Sequence, residues 1–346
     1  MTDILLASGS FSPREGGAEK QMRNVLSLAA RSGASVSVVT QVIDGQPRRS
    51  SIDGVNVTRV GSVSLFRGLP RIGQLLFTVL VFVHVLVRRP SAVISIQLGT
   101  ASVGVALARR FCSFNHVVRL TGGGTATHRS EPFARGSSRV GRWAVRMITS
   151  KKVTIAAPAE HLLEDFRTVF GPCAALRIVP NGVPELKSPI PCVDAERTGV
   201  VWYARRGAIR SSEAFEQVVD AAPDLAFTII GATDRSSDQR VRALGWVEDP
   251  YPILGRHRVL LNTSPTEGMP NMVLQALAIG MRVVGPANAG LIELARRFPD
   301  RIELVDLARP HEVADALRRC HSMDLPGGVH LETTSESTNR WLGLLL

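Results

Sequence analysis

The stretch Asn262-Thr-Ser-Pro-Thr-Glu267-Gly-Met-Pro270-Asn-Met-Val-Leu-Gln275-Ala-Leu-Ala-Ile-Gly280-Met-Arg-Val-Val-Gly285-Pro-Ala-Asn-Ala-Gly290-Leu-Ile-Glu-Leu294 alternates strand-like and helix-like segments within 33 residues. An apolar run ends at Ser264, and a short loop then presents Glu267 and Gly268. A helix is expected from near Met269, with Pro270 in its first turn, where a missing N–H is harmless. Gly280 suits the end of that helix, and Arg282–Gly285 reads as the next strand. Apolar strands alternating with helices describe a parallel sheet covered on both faces. Such open sheets bind ligands outside the carboxyl ends of their strands. Glu267 is therefore expected at a ligand-binding edge, and backbone N–H groups around Pro270, Asn271 and Met272 would face an anion such as phosphate. Gln275 follows two turns along the same helix.

Read outward, the same scheme fills the chain. Its 346 residues suggest about two domains at roughly 150 each. Strands are expected at Asp3–Ser8, Ser35–Gln41, Val55–Val60, Ala92–Gln97, His116–Thr121, Val153–Ala157 and Leu176–Val179. Helices are expected at Ala18–Arg31, Thr100–Phe111, Ser138–Thr149 and Ala159–Phe170. The second half repeats the alternation, with strands at Gly199–Tyr203, Ala226–Ile230, Arg242–Leu244, Arg258–Asn262, Arg282–Gly285 and Ile302–Val305. Pro180–Gly199 carries four prolines and no periodicity, and reads as a linker. The expected organisation is α/β: residues 1–182 and 183–328 as two doubly wound, Rossmann-like domains, with residues 329–346 as a C-terminal helix.

Composition narrows the function. Hydrophobic residues at 45% and charged residues at 21% describe a globular protein and exclude a disordered or collagen-like chain. Four cysteines (Cys112, Cys173, Cys192, Cys320) lie far apart without ligand-like spacing, so buried thiols in a reducing compartment are expected and a cysteine-bound metal is not. The first residues lack the basic and long apolar regions of a signal peptide, which points to the cytoplasm. Charge is one-sided: through Pro180 there are 23 Lys and Arg against 9 Asp and Glu, and beyond it 18 against 21. A basic first half implies an anionic partner. Aromatic residues at 5% are too sparse for base stacking, so nucleic acid is disfavoured and an anionic membrane surface is favoured.

Two further segments carry chemistry. Gly16–Gly17 sits between the first strand and a helix, where glycine allows close approach of a ligand to the backbone and the helix N-terminus attracts an anion. A plain tight turn is the competing reading. The spacing is not G-x-G-x-x-G, which argues against a nicotinamide dehydrogenase. Ile72–Val87 is sixteen nearly all-apolar residues flanked by Arg67, Arg71, Arg88 and Arg89. As a helix it would extend about 24 Å, short of a ~30 Å hydrocarbon core. It reads either as a core helix or as a helix partly embedded in a membrane interface, with His84 not a ligand in either case.

Taken together, Glu267 through Gly280, Val283-Val-Gly285 and Gly290-x-x-Glu293 resemble the signature of glycosyltransferase family 4, which comprises retaining, nucleotide-sugar-dependent enzymes of GT-B fold. Gly16–Gly17 resembles the family's N-terminal loop, Pro180-Asn-Gly-Val183 its hinge-proximal motif, and Gly245-Trp-Val247-Glu-Asp-Pro250 the segment before the nucleotide. The resemblance implies two domains facing each other across a cleft and a C-terminal helix, Thr334–Leu345, that crosses back to the first domain.

Residue roles follow by resemblance. The family's Glu-x7-Glu motif holds the donor sugar with its first glutamate, here Glu267, and the ribose with its second, here replaced by Gln275. Glutamine keeps the hydrogen bonds but not the charge. A basic pair on the diphosphate corresponds to Arg205 and Arg210, with Arg206 competing; guanidiniums there stabilise a departing nucleoside diphosphate. Gly268, Pro270, Asn271, Met272 and Val247 line the nucleotide, and Gly16 and Gly17 cover its phosphates. Thr121 and Gly122, within Arg119-Leu-Thr-Gly-Gly-Gly124, stand where the family often carries a histidine, with His128 a few residues on; Gln97 lies where another strand end usually carries one. No D-x-D cluster occupies a suitable loop, so neither metal nor a further cofactor is expected. The implied function is a retaining, metal-independent hexosyltransferase of polysaccharide or glycolipid assembly, acting on a saccharide or lipid-linked acceptor in the cytoplasm or at the inner face of the plasma membrane. The alternatives are a non-catalytic, transferase-like subunit and a GT-B sugar-nucleotide epimerase, the latter disfavoured because no further acid/base pair can be placed.

Overall fold

The strand runs expected from apolar content form two separate sheets in a computed structural model, which describes residues 2–13, 16–61, 70–121, 143, 146–149, 153–171, 175–186, 197–203, 209–231 and 238–345. For residues 70, 71, 169 and 209–211 it describes the backbone alone. The chain divides into one unit of Met1–Gly182 with Thr334–Leu346 and another of Val183–Thr333.

In the first unit the strands are β1 (Asp3–Ala7), β2 (Ser35–Thr40), β3 (Arg49–Ile52), β4 (Val55–Arg59), β5 (Ala92–Ile96), β6 (Asn115–Arg119), β7 (Val153–Ala157) and β8 (Ala175–Ile178). The helices are α1 (Gly17–Arg31), α2 (Pro70–Arg88), α3 (Thr100–Ala108) and α4 (Glu160–Phe170). The sheet order is β3-β4-β2-β1-β5-β6-β7-β8. Every pair is parallel except β3 with β4. Strand β3 is absent from the sequence reading because its alternation is polar and exposed. The signal it does carry is Asp53-Gly54: both residues have positive φ, 51° and 80°, as a two-residue hairpin turn requires. Helix α3 ends at Ala108, short of the expected Phe111, as the following N–H groups tighten onto carbonyls three residues back.

Alternation along the strands sorts the core into two layers. Ile4, Leu6, Val38 and Ile94 pack with Met22, Val25 and Leu26 of α1. Leu5, Ala7, Val39 and Val93 pack with Phe77, Val81 and Val85 of α2 and Val105 of α3. Helices α2 and α3 approach closely because position 104 is glycine: a Cβ there would lie 2.6 Å from the Thr78 carbonyl oxygen.

The second unit contains β9 (Val200–Tyr203), α5 (Ile209–Ala221), β10 (Phe227–Ile230), β11 (Val241–Ala243), α6 (Tyr251–Leu254), β12 (Val259–Leu261), α7 (Asn271–Ala278), β13 (Arg282–Pro286), α8 (Ala289–Arg297), β14 (Ile302–Val305) and α9 (Pro310–Ser322). Its sheet is parallel throughout, in the order β11-β10-β9-β12-β13-β14. Residues 329–333, which the sequence reading grouped with the C-terminal helix, belong to this unit. Val329 N–H donates to the Leu277 carbonyl, and Val183 N–H to that of Glu332. Helix α10 (Thr334–Leu345) then returns to the first unit, where Trp341 and Leu345 join the layer beneath α1.

That return is fixed by a buried polar cluster. Gln21 of α1 donates through Nε2 to Ser337 Oγ at 2.6 Å, and Ser337 Oγ donates to the Pro180 carbonyl at 2.6 Å. Arg119, at the end of β6, donates through Nη2 to Gln21 and to Asn181, the latter at 2.8 Å, and its guanidinium lies 5.2 Å from the Trp341 ring centroid. Burial pulls this guanidinium down to about 9, opposed by the Glu19 carboxylate.

Two outcomes follow. Trp341→Ala leaves a cavity and uncovers Arg119, costing about 3–5 kcal/mol of stability in denaturant unfolding. His116, buried in β6 and 2.9 Å from Ser95 Oγ, is pushed down to about 3 by burial and Arg109. The unfolded chain takes up that proton below 6.5 while the folded one does not, so stability falls as pH drops from 6.5 toward 3. His116→Gln flattens this slope by up to about 1.4 kcal/mol per pH unit. An unchanged slope would contradict the burial of a neutral imidazole.

Candidate active site

In the second sheet the chain leaves β9 toward β10 and leaves β12 toward β13, so the two adjacent strands part at their carboxyl ends. That is the switch point at which open α/β sheets form a crevice. Residues 204–208, which follow β9, lie outside the described residues, and the loop after β12 runs from Asn262 to Pro270. The strand ends are tied together: Trp202 Nε1 donates to Thr263 Oγ1 at 2.8 Å, and the indole stacks on Phe215 with centroids 4.1 Å apart.

The β12–α7 loop is held from within and from outside. Asn262 Oδ1 accepts from Ser264 N–H at 2.8 Å, and Ser264 Oγ donates to the Thr266 carbonyl at 3.1 Å. Asn288, which caps α8 by accepting from Leu291 N–H, also donates through Nδ2 to the Ser264 carbonyl at 2.9 Å. Gly290 lets the loop lie directly on α8. A Cβ there would meet the Gly268 carbonyl oxygen at 2.8 Å and the Glu267 carbonyl oxygen at 3.1 Å. Gly268 and Pro270 are consequently buried, while Glu267 is half-buried.

Helix α7 starts at Asn271, so Pro270 is its capping residue rather than a first-turn one. Pro270 has no side chain able to cap, and its carbonyl accepts from Leu274 N–H at 3.1 Å. The N–H groups of the first turn have no acceptor within the helix and define an electropositive end. Asn271 and Met272 are half-buried there. One turn beyond, Gln275 Oε1 is buried and has no hydrogen-bond partner among the described residues. An unmet acceptor of this kind is costly unless a donor arrives. Helix α5, which bears Arg210, begins directly after the β9 loop and shares this edge; Arg205, its competitor Arg206 and the Arg210 side chain lie outside the described residues. Val247 is half-buried among apolar residues of the same unit that include Tyr251.

The first sheet has its own switch point, between β1 and β5. Gly16 and Gly17 stand at the carboxyl side of β1, at the cap and first residue of α1. The Gly16 N–H donates to Glu19 Oε2 at 2.9 Å, and Ser10 Oγ donates to Glu19 Oε1 at 3.1 Å. The helix end thus carries a carboxylate of its own, a capping arrangement legible in the Gly16-x-x-Glu19 spacing. At the end of β5, Gln97 adopts φ 65°, unusual for a residue with a Cβ, and its Nε2 donates to Thr121 Oγ1 beyond β6. Backbone strain of this kind concentrates at functional sites. Gly122 and His128 lie outside the described residues. His84 is half-buried in α2, and its Nε2 has no hydrogen-bond partner among the described residues. Among the described residues no group of three His, Cys, Asp or Glu side chains could hold a metal ion.

Comparison with known proteins agrees with this geometry. Residues 198–322 match the family model "Glycosyl transferases group 1", and residues 16–182 match "Glycosyl transferase 4-like domain". No curated protein sequence matches the chain. Solved structures share the fold across its whole length. Sucrose-phosphate synthase from Thermosynechococcus elongatus superposes with a TM-score of 0.71 at 14% identity, covering 100% of this chain and 95% of that one. WaaG, a glycosyltransferase involved in lipopolysaccharide biosynthesis, gives 0.67 at 14% identity, covering 99% and 94%. HepE from Anabaena, in complex with UDP-glucose, gives 0.64 at 14% identity, covering 100% and 96%. The chain is a glycosyltransferase of GT-B fold, with one glycosyltransferase domain in each half.

If Gly290 is the contact on which the β12–α7 loop rests, Gly290→Ala must displace that loop and cost about 1–3 kcal/mol despite alanine's better helix propensity. Chemical denaturation measures it, and wild-type stability would show that the loop is not seated as described.

Proposed function

We propose that the chain is a retaining, metal-independent hexosyltransferase that takes its sugar from a nucleoside diphosphate. The observation that carries this reading is the edge where β9 and β12 part, where the half-buried residue Glu267 sits in the loop that leads into the N-terminus of α7, whose cap residue, Pro270, offers no side-chain cap. An N-terminus of this kind suits a diphosphate, and Gln275 Oε1 suits a ribose hydroxyl. The matched family models and the UDP-glucose held by HepE support the same donor chemistry.

In this reading Glu267 accepts hydrogen bonds from donor-sugar hydroxyls and fixes the anomeric carbon. Arg205 and Arg210, with the N–H groups of Asn271 and Met272, hold the diphosphate. Gly268 and Pro270 shape the loop against it, and Val247 borders the nucleotide. The bond from the anomeric carbon to the phosphate oxygen breaks, and the nucleoside diphosphate leaves with the electron pair. The acceptor hydroxyl attacks from the same face and passes its proton to the leaving phosphate. The transition state is oxocarbenium-like, and most of the rate comes from positioning and from stabilising charge on the phosphate. The first domain binds a saccharide or lipid-linked acceptor for polysaccharide or glycolipid assembly in the cytoplasm.

The replacement of the family's second glutamate by Gln275, and of its histidine by Thr121-Gly122, favours one rival: a transferase-like subunit that binds donor without turning it over. Donor hydrolysis or transfer by the purified protein separates the two.

Melting-temperature shifts with UDP-, GDP-, ADP- and TDP-sugars identify the donor, since a ligand at a hundred times its Kd adds about 2.7 kcal/mol to stability. Glu267→Ala is expected to lower transfer at least a hundredfold while leaving cooperative unfolding intact, a loss in the range of removing one transition-state contact. Full activity of that variant would remove the role assigned to Glu267.

A further inference from the structure

Helix α2 is mostly apolar, yet only part of its apolar surface is covered. Phe77, Val81 and Val85 face the core. Ile72, Leu75, Leu76, Val79, Val83 and Val87 are exposed, with Leu75 at 65% and Val87 at 81%. At about 100° per residue these six fall within an arc of about 120°, and the stripe extends about 22 Å. The polar residues of the helix (Gln74, Thr78 and His84) project away from this arc. Phe111, 72% exposed, continues the patch from the end of α3, its ring edge-on to Phe82 at 5.7 Å.

Cations gather at one end of the stripe. Arg88 closes α2 and is engaged by Asp3 and Ser35. Arg89 and Arg110, flanking Val87 and Phe111, are exposed. A continuous run of large aliphatic side chains is rare on the surface of a monomeric protein and marks an interaction face. The border of this wholly apolar arc is arginine, the charge that complements anionic lipid headgroups. No described helix is long and apolar enough to cross a membrane. An amphipathic layer of these dimensions lies in the plane of the headgroups with its apolar side a few ångströms into the acyl region.

We propose that the exposed face of α2, with Phe111, Arg89 and Arg110, docks the first unit onto an anionic lipid bilayer. The N-terminal end of α2 lies at the side of the sheet where β1 and β5 end, so the docked face extends to the edge at which a lipid-linked acceptor would be presented. This choice of acceptor rests on the transferase reading; the docking itself does not.

Flotation tests it with the full chain and vesicles of phosphatidylcholine containing about one third phosphatidylglycerol, the anionic headgroup supplying the attraction. The wild type is expected to float at low salt, and to bind less to pure phosphatidylcholine or at about 1 M salt, where charge is screened within ~3 Å. Leu75→Glu with Phe111→Glu should cut vesicle binding at least tenfold. Arg89→Gln with Arg110→Gln, which leaves the apolar stripe whole, should cut it by about fivefold for each charge removed. Thermal unfolding of both pairs is expected to remain cooperative. A wild type that stays unbound at low salt overturns the proposal. So does vesicle binding undiminished in either folded pair, or a concentration-dependent dimer that Leu75→Glu dissolves. No donor is present, so failure here leaves glycosyl transfer standing, and failure of transfer leaves the docking standing.

Discussion

The second unit depends on one close contact, the β12–α7 loop lying on helix α8 at Gly290. Two parallel strands, β9 and β12, lead in opposite directions at their carboxyl ends, and the backbone from Asn262 to Pro270 fills the edge between them. With no Cβ at position 290, the carbonyls of Glu267 and Gly268 can approach α8. Asn288 then joins the cap of that helix to the loop in front of it. The loop places Glu267 and the start of α7 side by side. A carboxylate and an electropositive helix end next to each other can address two parts of one ligand, its hydroxyls and its phosphates.

The first unit solves a different problem, that of bringing a distant C-terminal helix home. Arg119 is a buried cation held by two side-chain amides, those of Gln21 and Asn181, with the Trp341 ring alongside it. Nothing in the sequence marks Arg119 for burial, since arginine is ordinarily exposed. Burial lowers its guanidinium from the ordinary arginine value, and the Glu19 carboxylate opposes that shift. The cluster joins β6, α1, residues 180–181 and α10, so the places where the chain leaves and re-enters the first unit are fastened to one another.

Much of this was legible in the sequence because parallel strands read as unbroken apolar runs. β7 and β14 match their expected bounds, and most other expected strands fall within a residue of the observed ones. What escaped did so for physical reasons. β3 is a polar edge strand betrayed only by Asp53-Gly54, and the Glu19 cap on Gly16 was present as spacing but overshadowed by the glycines. The apolar character of Ile72–Val87 suited both a core and an interface helix; composition alone could not divide it, and the structure shows it serving the core on one face and exposed on the other. For the candidate site, Glu267, Gly268, Pro270, Asn271, Met272 and Gln275 share one loop and helix as the motif spacing implied, whereas the positions of Arg205 and Gly122 lie outside the described residues.

The most direct measurement is a crystal structure of the chain with whichever nucleoside diphosphate raises its melting temperature most. The account predicts diphosphate density within hydrogen-bonding distance of the Asn271 and Met272 N–H groups and a ribose hydroxyl at Gln275. A nucleotide bound elsewhere, with the β9–β12 edge empty, would contradict it.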